Sequence, residues 1–310
     1  MASTAIAALS SRALQYFNPL IQQAGAEDLV VRNGMYYVYE SAREFARAKE
    51  LGEFRERSGS VFELLDGDEL GCRVPVLAAG LAGAVYIPTA AYTLSPLSLS
   101  QSLFNAFAAA GGRFEQARVT GFHLEGGKVV SVLAGEHRAT DEVFITAGAF
   151  SWDLARQLGS DVPLDTERGY HLSIPDPGIQ LESSLLFTGR GLAATPMSQG
   201  LRLAGTVEFA GLAAPPDFQR AQVLGEAAKK LLPGLSTAGA SEWMGFRPSV
   251  PDSVPVISAS PSLSNVYFGF GHGHLGLTQS AVTGALLAAM ASGEPMPIDE
   301  GPYRIDRRWW

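Results

Sequence analysis

The residues best suited to chemistry lie near the end of the chain, in the stretch Gly269–Ser280, which reads GFGHGHLGLTQS. Its glycines let a backbone approach a flat or charged ligand closely, because glycine has no side chain in the way. The apolar run from Ala281 to Met290 predicts a helix, whose first N–H groups and positive dipole end point back at the loop. This pattern predicts a cradle for a phosphate group or a cofactor. The alternative is a tight strand-to-helix turn that binds nothing.

Two histidines, His272 and His274, lie two residues apart within this loop, and we expect their side chains to face opposite sides. A metal site would need more ligands, and no cluster of Asp, Glu or Cys accompanies the pair. We therefore predict no metal. One histidine is expected to face a bound ring system or to make a structural hydrogen bond.

The strongest candidate for binding an anion is Arg247, which precedes Pro248 in an otherwise apolar context. Proline favours an extended conformation for the residue before it. A guanidinium group can hold a carboxylate through two parallel hydrogen bonds. The alternative is a surface salt bridge, with Asp252 as the partner.

A second group of polar residues, Arg168, Tyr170 and His171, begins a predicted strand. We expect Tyr170 to point to the opposite side from the other two. Its hydroxyl is a candidate for orienting a carboxylate or an amine, and the alternative is a core aromatic residue with a satisfied hydroxyl. His171 is a candidate base.

The composition bounds the class of protein. A net charge of −8 and a pI near 5.2 argue against a nucleic-acid partner, which needs a basic face. The single cysteine, Cys72, excludes an internal disulfide and fits a reducing compartment. The uncharged interval between Arg73 and Arg113 is broken by prolines and glycines, so we predict no transmembrane segment and a cytoplasmic location.

The elements that position these residues follow from hydrophobic periodicity and turn signals. A buried strand leads into the glycine turn Ala147–Gly148–Ala149 and a short helix near Trp152, which is the form of an α/β nucleotide-binding edge. The other predicted elements are a helix in about the first twenty residues, strands Met35–Tyr39, Gly83–Ile87 and Asp141–Thr146, helices 42–56, 96–110 and around 223–232, a hairpin of Val119–Leu124 with Val129–Leu133, and extended segments Gly245–Ser258 and Asn265–Phe270.

Together these segments resemble the D-amino-acid oxidase/dehydrogenase superfamily of FAD-dependent oxidoreductases. Four passages carry the resemblance: residues 80–96 (GLAGAVYIPTAAYTLSP), 144–151 (FITAGAFS), 166–171 (TERGYH), and 245–258 (GFRPSVPDSVPVIS) with 269–280. The resemblance implies an α/β fold in which an α+β substrate domain is interleaved with an FAD/NAD(P)-binding domain. That second domain is expected to be incomplete, because the family opens with a βαβ unit that has no counterpart here.

The resemblance also implies boundaries and roles. The substrate domain would take residues 1–85 and 161–250, and the FAD-binding domain residues 86–160 and 251–310. The implied reaction is oxidative deamination of a D-amino acid or related secondary amine acid by hydride transfer to flavin, with electrons passed to a quinone, an electron-transfer protein or oxygen. The resemblance also allows a peripheral membrane contact. The alternative is a non-catalytic remnant or binding module. Arg247, Tyr170 and His171 would form the substrate site, and the FAD contacts would be Val119, Ala147, Gly148, Gly271, His272, Gly273, His274, Leu275, Gly276, Leu277 and Thr278.

Overall fold

The computed structural model describes residues 2–52 and 61–309 as a mixed α/β structure, which confirms the predicted fold class. The described α-helices are α1 Ala2–Ser10, α2 Ala13–Gln23, α3 Ala42–Glu50, α4 Gly67–Arg73, α5 Pro96–Ala109, α6 Ser151–Gln157, α7 Gln219–Leu231 and α8 Gly276–Ser292. The strands are β1 Val30–Val31, β2 Met35–Tyr39, β3 Glu63–Asp66, β4 Gly83–Ile87, β5 Tyr92–Thr93, β6 Gly121–Glu125, β7 Lys128–Ala134, β8 Glu136–Ala139, β9 Val143–Ile145, β10 Asp165–Ile174, β11 Ser184–Phe187, β12 Leu192–Met197, β13 Gly200–Glu208, β14 Ser241–Ser249, β15 Val256–Ala259 and β16 Val266–Phe270.

The largest sheet has eight strands in the order β14-β10-β13-β12-β11-β2-β4-β3. Neighbours run antiparallel except β11 and β2, which are parallel. Successive side chains of a strand alternate between the two faces. One face is apolar and buried beneath α7 and α4, with Leu172, Leu203 and Phe187 in its core. We call the opposite face, which carries His171 and Arg247, the open face.

A second sheet has three strands in the order β15-β16-β9, in which β16 and β9 are parallel. Helix α8 packs against β15 and β16, and α1 and α2 pack against α8. The residue Gly269 permits this close packing, because a Cβ there would lie 2.8 Å from Leu287 Cδ1. A third sheet, β6-β7-β8, adjoins α6 through β6.

The eight-stranded sheet and the sheet β15-β16-β9 each draw strands from distant parts of the chain. The eight-stranded sheet uses β2 to β4 and then β10 to β14, and the three-stranded sheet uses β9 with β15 and β16. The four predicted domain boundaries stay a prediction.

Two predicted elements differ from the structure. The single helix expected in about the first twenty residues is two helices, separated at Ser11 and Arg12, and Pro19 lies inside the second. The extended segment Gly245–Ser258 is interrupted after Ser249 by a turn in which Ser253 has a φ of 59°. The last residues of the predicted helix 42–56 lie outside the described residues.

Helix α8 has the composition of a membrane span. Among the described residues, the segment Gly273–Ser292 is long and apolar enough to cross a bilayer by those two criteria alone. The core helix of a soluble protein passes the same test, and Val282 and Leu286 of this helix are fully buried against α1 and the second sheet.

Candidate functional site

In the glycine loop after β16, side chains do not cover the backbone N–H groups. Gly271 and Gly273 have φ values of 84° and 55°, which glycine adopts without the steric cost that other residues meet. A short 3-10 turn, Gly273–Leu275, leads directly into α8, and the helix has no side-chain N-cap. The first N–H groups of this 17-residue helix therefore face the loop without a side-chain acceptor.

A second glycine turn lies beside the first. It follows β9, where Gly148 has a φ of 57° and begins the 3-10 turn Gly148–Phe150. Since β9 and β16 are parallel neighbours, both turns lie at the carboxyl ends of their strands, where α/β proteins bind ligands. A Cβ added at Gly148 would meet no heavy atom within 4 Å, and Ala147 is exposed, so this turn borders open space.

The other predicted cofactor contacts differ in how far they are exposed to solvent. His274, Thr278 and Leu277 are exposed, and Leu277 is 43% accessible, whereas Leu275 and Gly276 are half-buried. Val119 lies in an irregular segment, because β6 begins only at Gly121, so the predicted strand placement was wrong. Thr120, the residue after Val119, still bonds through its N–H to the Leu133 carbonyl at 2.9 Å.

The two histidines of the loop face different environments. His272 Nε2 lies 2.9 Å from Thr283 Oγ1 of α8, so this residue makes the structural hydrogen bond that was one of the two expected alternatives. Burial lowers its pKa to about 4. His274 is exposed. Within residues 2–52 and 61–309, no group of three or more His, Cys, Asp or Glu could hold a metal ion.

The buried His272 predicts a specific dependence of stability on pH. Its pKa is lowered on folding from 6.5 to about 4, so the unfolded chain binds this proton more tightly. Stability is therefore lost as the pH falls from about 6.5 towards about 4. Between about pH 7 and about pH 4.5, we expect the wild type to lose about 2 kcal/mol more unfolding free energy than His272→Gln. Urea denaturation at the two pH values measures this difference.

The matched control for that measurement is His274→Gln, which changes an exposed histidine of the same loop. Its loss of stability is expected to equal that of the wild type. An equal loss in His272→Gln would show that His272 is not the group responsible.

On the open face of the large sheet, Arg247 lies across β10. A Cβ added at Gly169 would come within 2.3 Å of the Arg247 guanidinium carbon, so the guanidinium occupies the space that a side chain at 169 would fill. Its Nη1 donates to the Thr206 carbonyl at 3.3 Å, at a bulge where Thr206 has a φ of 56°.

Arg247 has no acidic partner at ion-pair distance among the described residues. Burial lowers its pKa, and the cross-strand neighbour Glu167 opposes that shift in part. The predicted alternative, a salt bridge to Asp252, was wrong, because Asp252 accepts two hydrogen bonds from Arg307 at 2.9 and 3.2 Å. The Arg247 guanidinium thus has free donors and a half-buried position.

Trp243 lies on the same strand as Arg247, four residues before it, and its indole ring lies over Gly245. A Cβ added at Gly245 would meet that ring at 2.1 Å. The ring also stacks on His171, with 4.7 Å between centroids and 17° between planes. Burial and, second, the nearby Arg202 lower the pKa of His171 to about 4, so His171 is neutral at neutral pH.

Gly169 and Gly245 are directly paired across β10 and β14. Arg247 covers one member of the pair and Trp243 covers the other, so the two side chains approach each other above a floor of bare backbone. We call this the glycine floor. The sequence shows only one glycine in each of two strands. That the two glycines lie side by side can be seen only when the pairing register of the strands is known.

Tyr170 lies apart from Arg247, and its predicted orientation was wrong. Residues two apart on a strand share a face. Tyr170 and Arg168 therefore lie together on the buried face, and His171 lies on the open face. Tyr170 is 1% exposed, and its hydroxyl donates to Glu208 Oε2 at 2.5 Å and accepts from the Asp217 N–H at 3.0 Å. This is the alternative of a core aromatic with a satisfied hydroxyl, and it leaves no free group for a substrate.

The glycine floor and the glycine loop belong to one region of the molecule. Ser249 is on the same side of β14 as Arg247, two residues further along. A Cβ at Gly273 would lie 3.6 Å from Ser249 Oγ, so the end of β14 contacts the start of the 3-10 turn. The structure thus brings Arg247 and the exposed start of α8 to the same edge.

Comparison with known proteins identifies relatives of the whole described chain. Residues 2–290 match the DAO family, described as FAD dependent oxidoreductase. A D-amino-acid oxidase of Bradyrhizobium diazoefficiens is 34% identical over 295 residues, which are 93% of this chain and 69% of that protein. A D-amino acid dehydrogenase of Allorhizobium ampelinum is 30% identical over 256 residues, 80% of this chain and 60% of that protein.

A solved structure shares the fold. The crystal structure of glycine oxidase from Geobacillus kaustophilus superposes with a TM-score of 0.86 at 24% identity, covering 97% of this chain and 82% of that one. The chain therefore spans about 60 to 69% of the two curated relatives and a larger share of the solved structure.

Proposed function

The chain belongs to the DAO family of FAD-dependent oxidoreductases, and from that premise we propose that it catalyses the oxidative deamination of a D-amino acid or a related secondary amine acid by hydride transfer. One observation carries the proposal. Arg247 is a half-buried guanidinium without an acidic partner among the described residues, held above the glycine floor at the edge where the glycine loop ends. That position suits the carboxylate of an amino acid.

The residues at this edge fit FAD, the cofactor of the family. The fit to FAD is judged from the backbone at the two glycine turns, which is open. No side chain caps α8, and a Cβ at Gly148 would meet only open space. Within Gly273 to Leu277, the N–H groups other than that of Leu275, which bonds to the His272 carbonyl at 3.0 Å, would face the cofactor. Ala147 and Gly148 would approach it from the neighbouring strand. Amides at a helix N-terminus stabilise negative charge, which a reduced flavin carries.

When bound, the flavin supplies a hydride acceptor for the substrate Cα–H bond. Arg247 fixes the carboxylate of the substrate, which fixes the position of the adjacent Cα. Trp243 bounds the other side of the glycine floor, where its indole lies over Gly245. His171 is neutral at neutral pH and stacks beneath Trp243, so its part is to hold the indole rather than to compete with Arg247 for the carboxylate.

The products follow from the bonds broken. Loss of a hydride from Cα and a proton from the amine gives an imino acid, and water hydrolyses it to a 2-oxo acid and ammonia, or to a 2-oxo acid and a primary amine when the substrate is a secondary amine. We propose that the electrons pass to a quinone or to oxygen, with a peripheral membrane contact in the first case. A cytoplasmic location is part of the proposal and is supported by the acidic composition and the single cysteine.

The test is a spectrum of the purified protein loaded with FAD, recorded without oxygen as paired D- and L-amino acids, glycine and D-proline are added. We expect the flavin absorbance to bleach with D-amino acids and to remain with their L-enantiomers. Each primary amino acid that bleaches the flavin should yield ammonia and a 2-oxo acid in equal amounts, whereas D-proline should yield its cyclic imino acid without ammonia. Bleaching by L-enantiomers alone, or failure of the protein to bind FAD, would overturn the proposal.

A further inference from the structure

A second arginine, Arg202, lies on the open face of the same sheet. It is on β13, opposite Ser173 of β10 and Thr195 of β12. The side chain is half-buried, and its Nε is buried without a hydrogen-bond partner. No acidic side chain pairs with it within residues 2–52 and 61–309. Burial alone lowers its pKa.

Two other arginines of low exposure, Arg168 and Arg307, have the partners that Arg202 lacks. Arg168 is 0% exposed and donates to the carbonyls of Ala210, Gly211, Ala214 and Pro215, with Glu208 at 3.7 Å. Arg307 holds Asp252 through two hydrogen bonds. A half-buried cation without such partners is unfavourable until an anion or water reaches it. Arg202 and Arg247 both lack an acidic partner among the described residues, and both lie on the open face of the large sheet.

The register gives the separation, along β10, of the two positions at which these arginines lie. The Arg247 guanidinium lies at Gly169, and Arg202 lies opposite Ser173, four residues further along β10. At the rise of a β-strand this is about 13 Å. His171 and its stacked partner Trp243 stand between them, and the field of Arg202 reaches His171. The two cations are therefore at opposite ends of one strip of the open face.

We propose that Arg202 binds a second, distal carboxylate of the substrate, so that the enzyme acts on acidic amino acids. The proposal rests on the proposed function, because Arg247 must hold the α-carboxylate at the other end of the strip. The neutral His171 and the indole of Trp243 flank the connecting carbon chain. Ser173 and Thr195 carry hydroxyls beside Arg202, and they supply donors to the same anion. The span favours D-glutamate and its one-carbon-longer homologue over D-aspartate.

The kinetic test compares D-glutamate with D-glutamine, which has nearly the same shape and no distal charge. We expect kcat/KM of the wild type to favour D-glutamate by about 30-fold, and Arg202→Met to lower this selectivity ratio about 30-fold, to near one. Arg202→Lys keeps the charge without the planar fork and should give an intermediate ratio. Arg43→Met, an exposed arginine on α3, is the charge control and should keep the wild-type ratio. An unchanged ratio in Arg202→Met would overturn the proposal.

A binding test separates this proposal from the proposed function. Trp243 is 55% exposed and is one of four tryptophans, so we expect glutarate to change the tryptophan fluorescence of the wild type and butyrate to change it far less. Trp243→Phe should remove the signal, and Arg202→Met should weaken glutarate binding about 100-fold. Glutarate binding without oxidation of any amino acid would sink the proposed function alone. Oxidation of D-amino acids with equal binding of glutarate and butyrate would sink the Arg202 site alone.

Discussion

Replacing Arg247 by leucine is expected to lower kcat/KM for the amino acid substrate by about 10³-fold, close to 4 kcal/mol. The carboxylate of the substrate would enter a half-buried position and lose the two charge-assisted hydrogen bonds that offset its desolvation. Most of the loss should appear in KM, since the carboxylate is bound equally before and during the reaction. Steady-state kinetics with the preferred D-amino acid measure both parameters.

Arg247→Lys separates charge from geometry, because lysine retains the charge and lacks the planar fork. We expect its kcat/KM to lie between those of the wild type and Arg247→Leu. Neither variant should lower the melting temperature much, since each removes or alters an unpaired half-buried cation that does not support the fold. Wild-type kinetics in Arg247→Leu would exclude this residue as the carboxylate site.

Elements with a strong local pattern could be predicted from the sequence. The strands Met35–Tyr39 and Gly83–Ile87 have the predicted bounds, since β-prone residues fill them and turn residues flank them. The helix at 96–110 is confirmed as Pro96–Ala109, with Ser95 capping it and Pro96 at its first position. The glycine loop could be recognised because its spacing lies within a dozen consecutive residues. In each case the information is contained in one short segment.

Features that depend on pairing between distant strands could not be predicted. Trp243 and His171 become neighbours only through the register of β10 with β14, which pairs residues 68 to 84 positions apart. Arg202 reaches the same strip through β13, whose register with β10 shifts between Arg168 and Tyr170. For Tyr170, the error was one of strand alternation, and burial of its hydroxyl against Glu208 became visible only in the folded chain.

The two glycines of the floor are costly where they lie. Glycine in the interior of a strand weakens it and often marks a site where another group approaches closely. Here two such residues are paired in adjacent strands of the large sheet, and each is covered by a long polar or aromatic side chain from β14. Packing in the core does not offset this loss of strand propensity, because the glycine floor is on the open face. The pair therefore serves to make room on the open face for the side chains of Arg247 and Trp243.

Replacing Gly169 by alanine is expected to lower kcat/KM by about 100-fold while leaving the melting temperature nearly unchanged. The new Cβ would occupy a position 2.3 Å from the Arg247 guanidinium, and because that group is the far end of a flexible side chain, it would swing away rather than strain the sheet. Kinetics and thermal denaturation of the same preparation measure the two effects. The matched control is Gly284→Ala in α8, where a Cβ meets no heavy atom within 4 Å and helix propensity should raise stability without affecting kcat/KM. Full activity in Gly169→Ala would mean that the carboxylate is bound elsewhere, whereas activity and stability lost together would mean that the floor serves the fold and not the substrate.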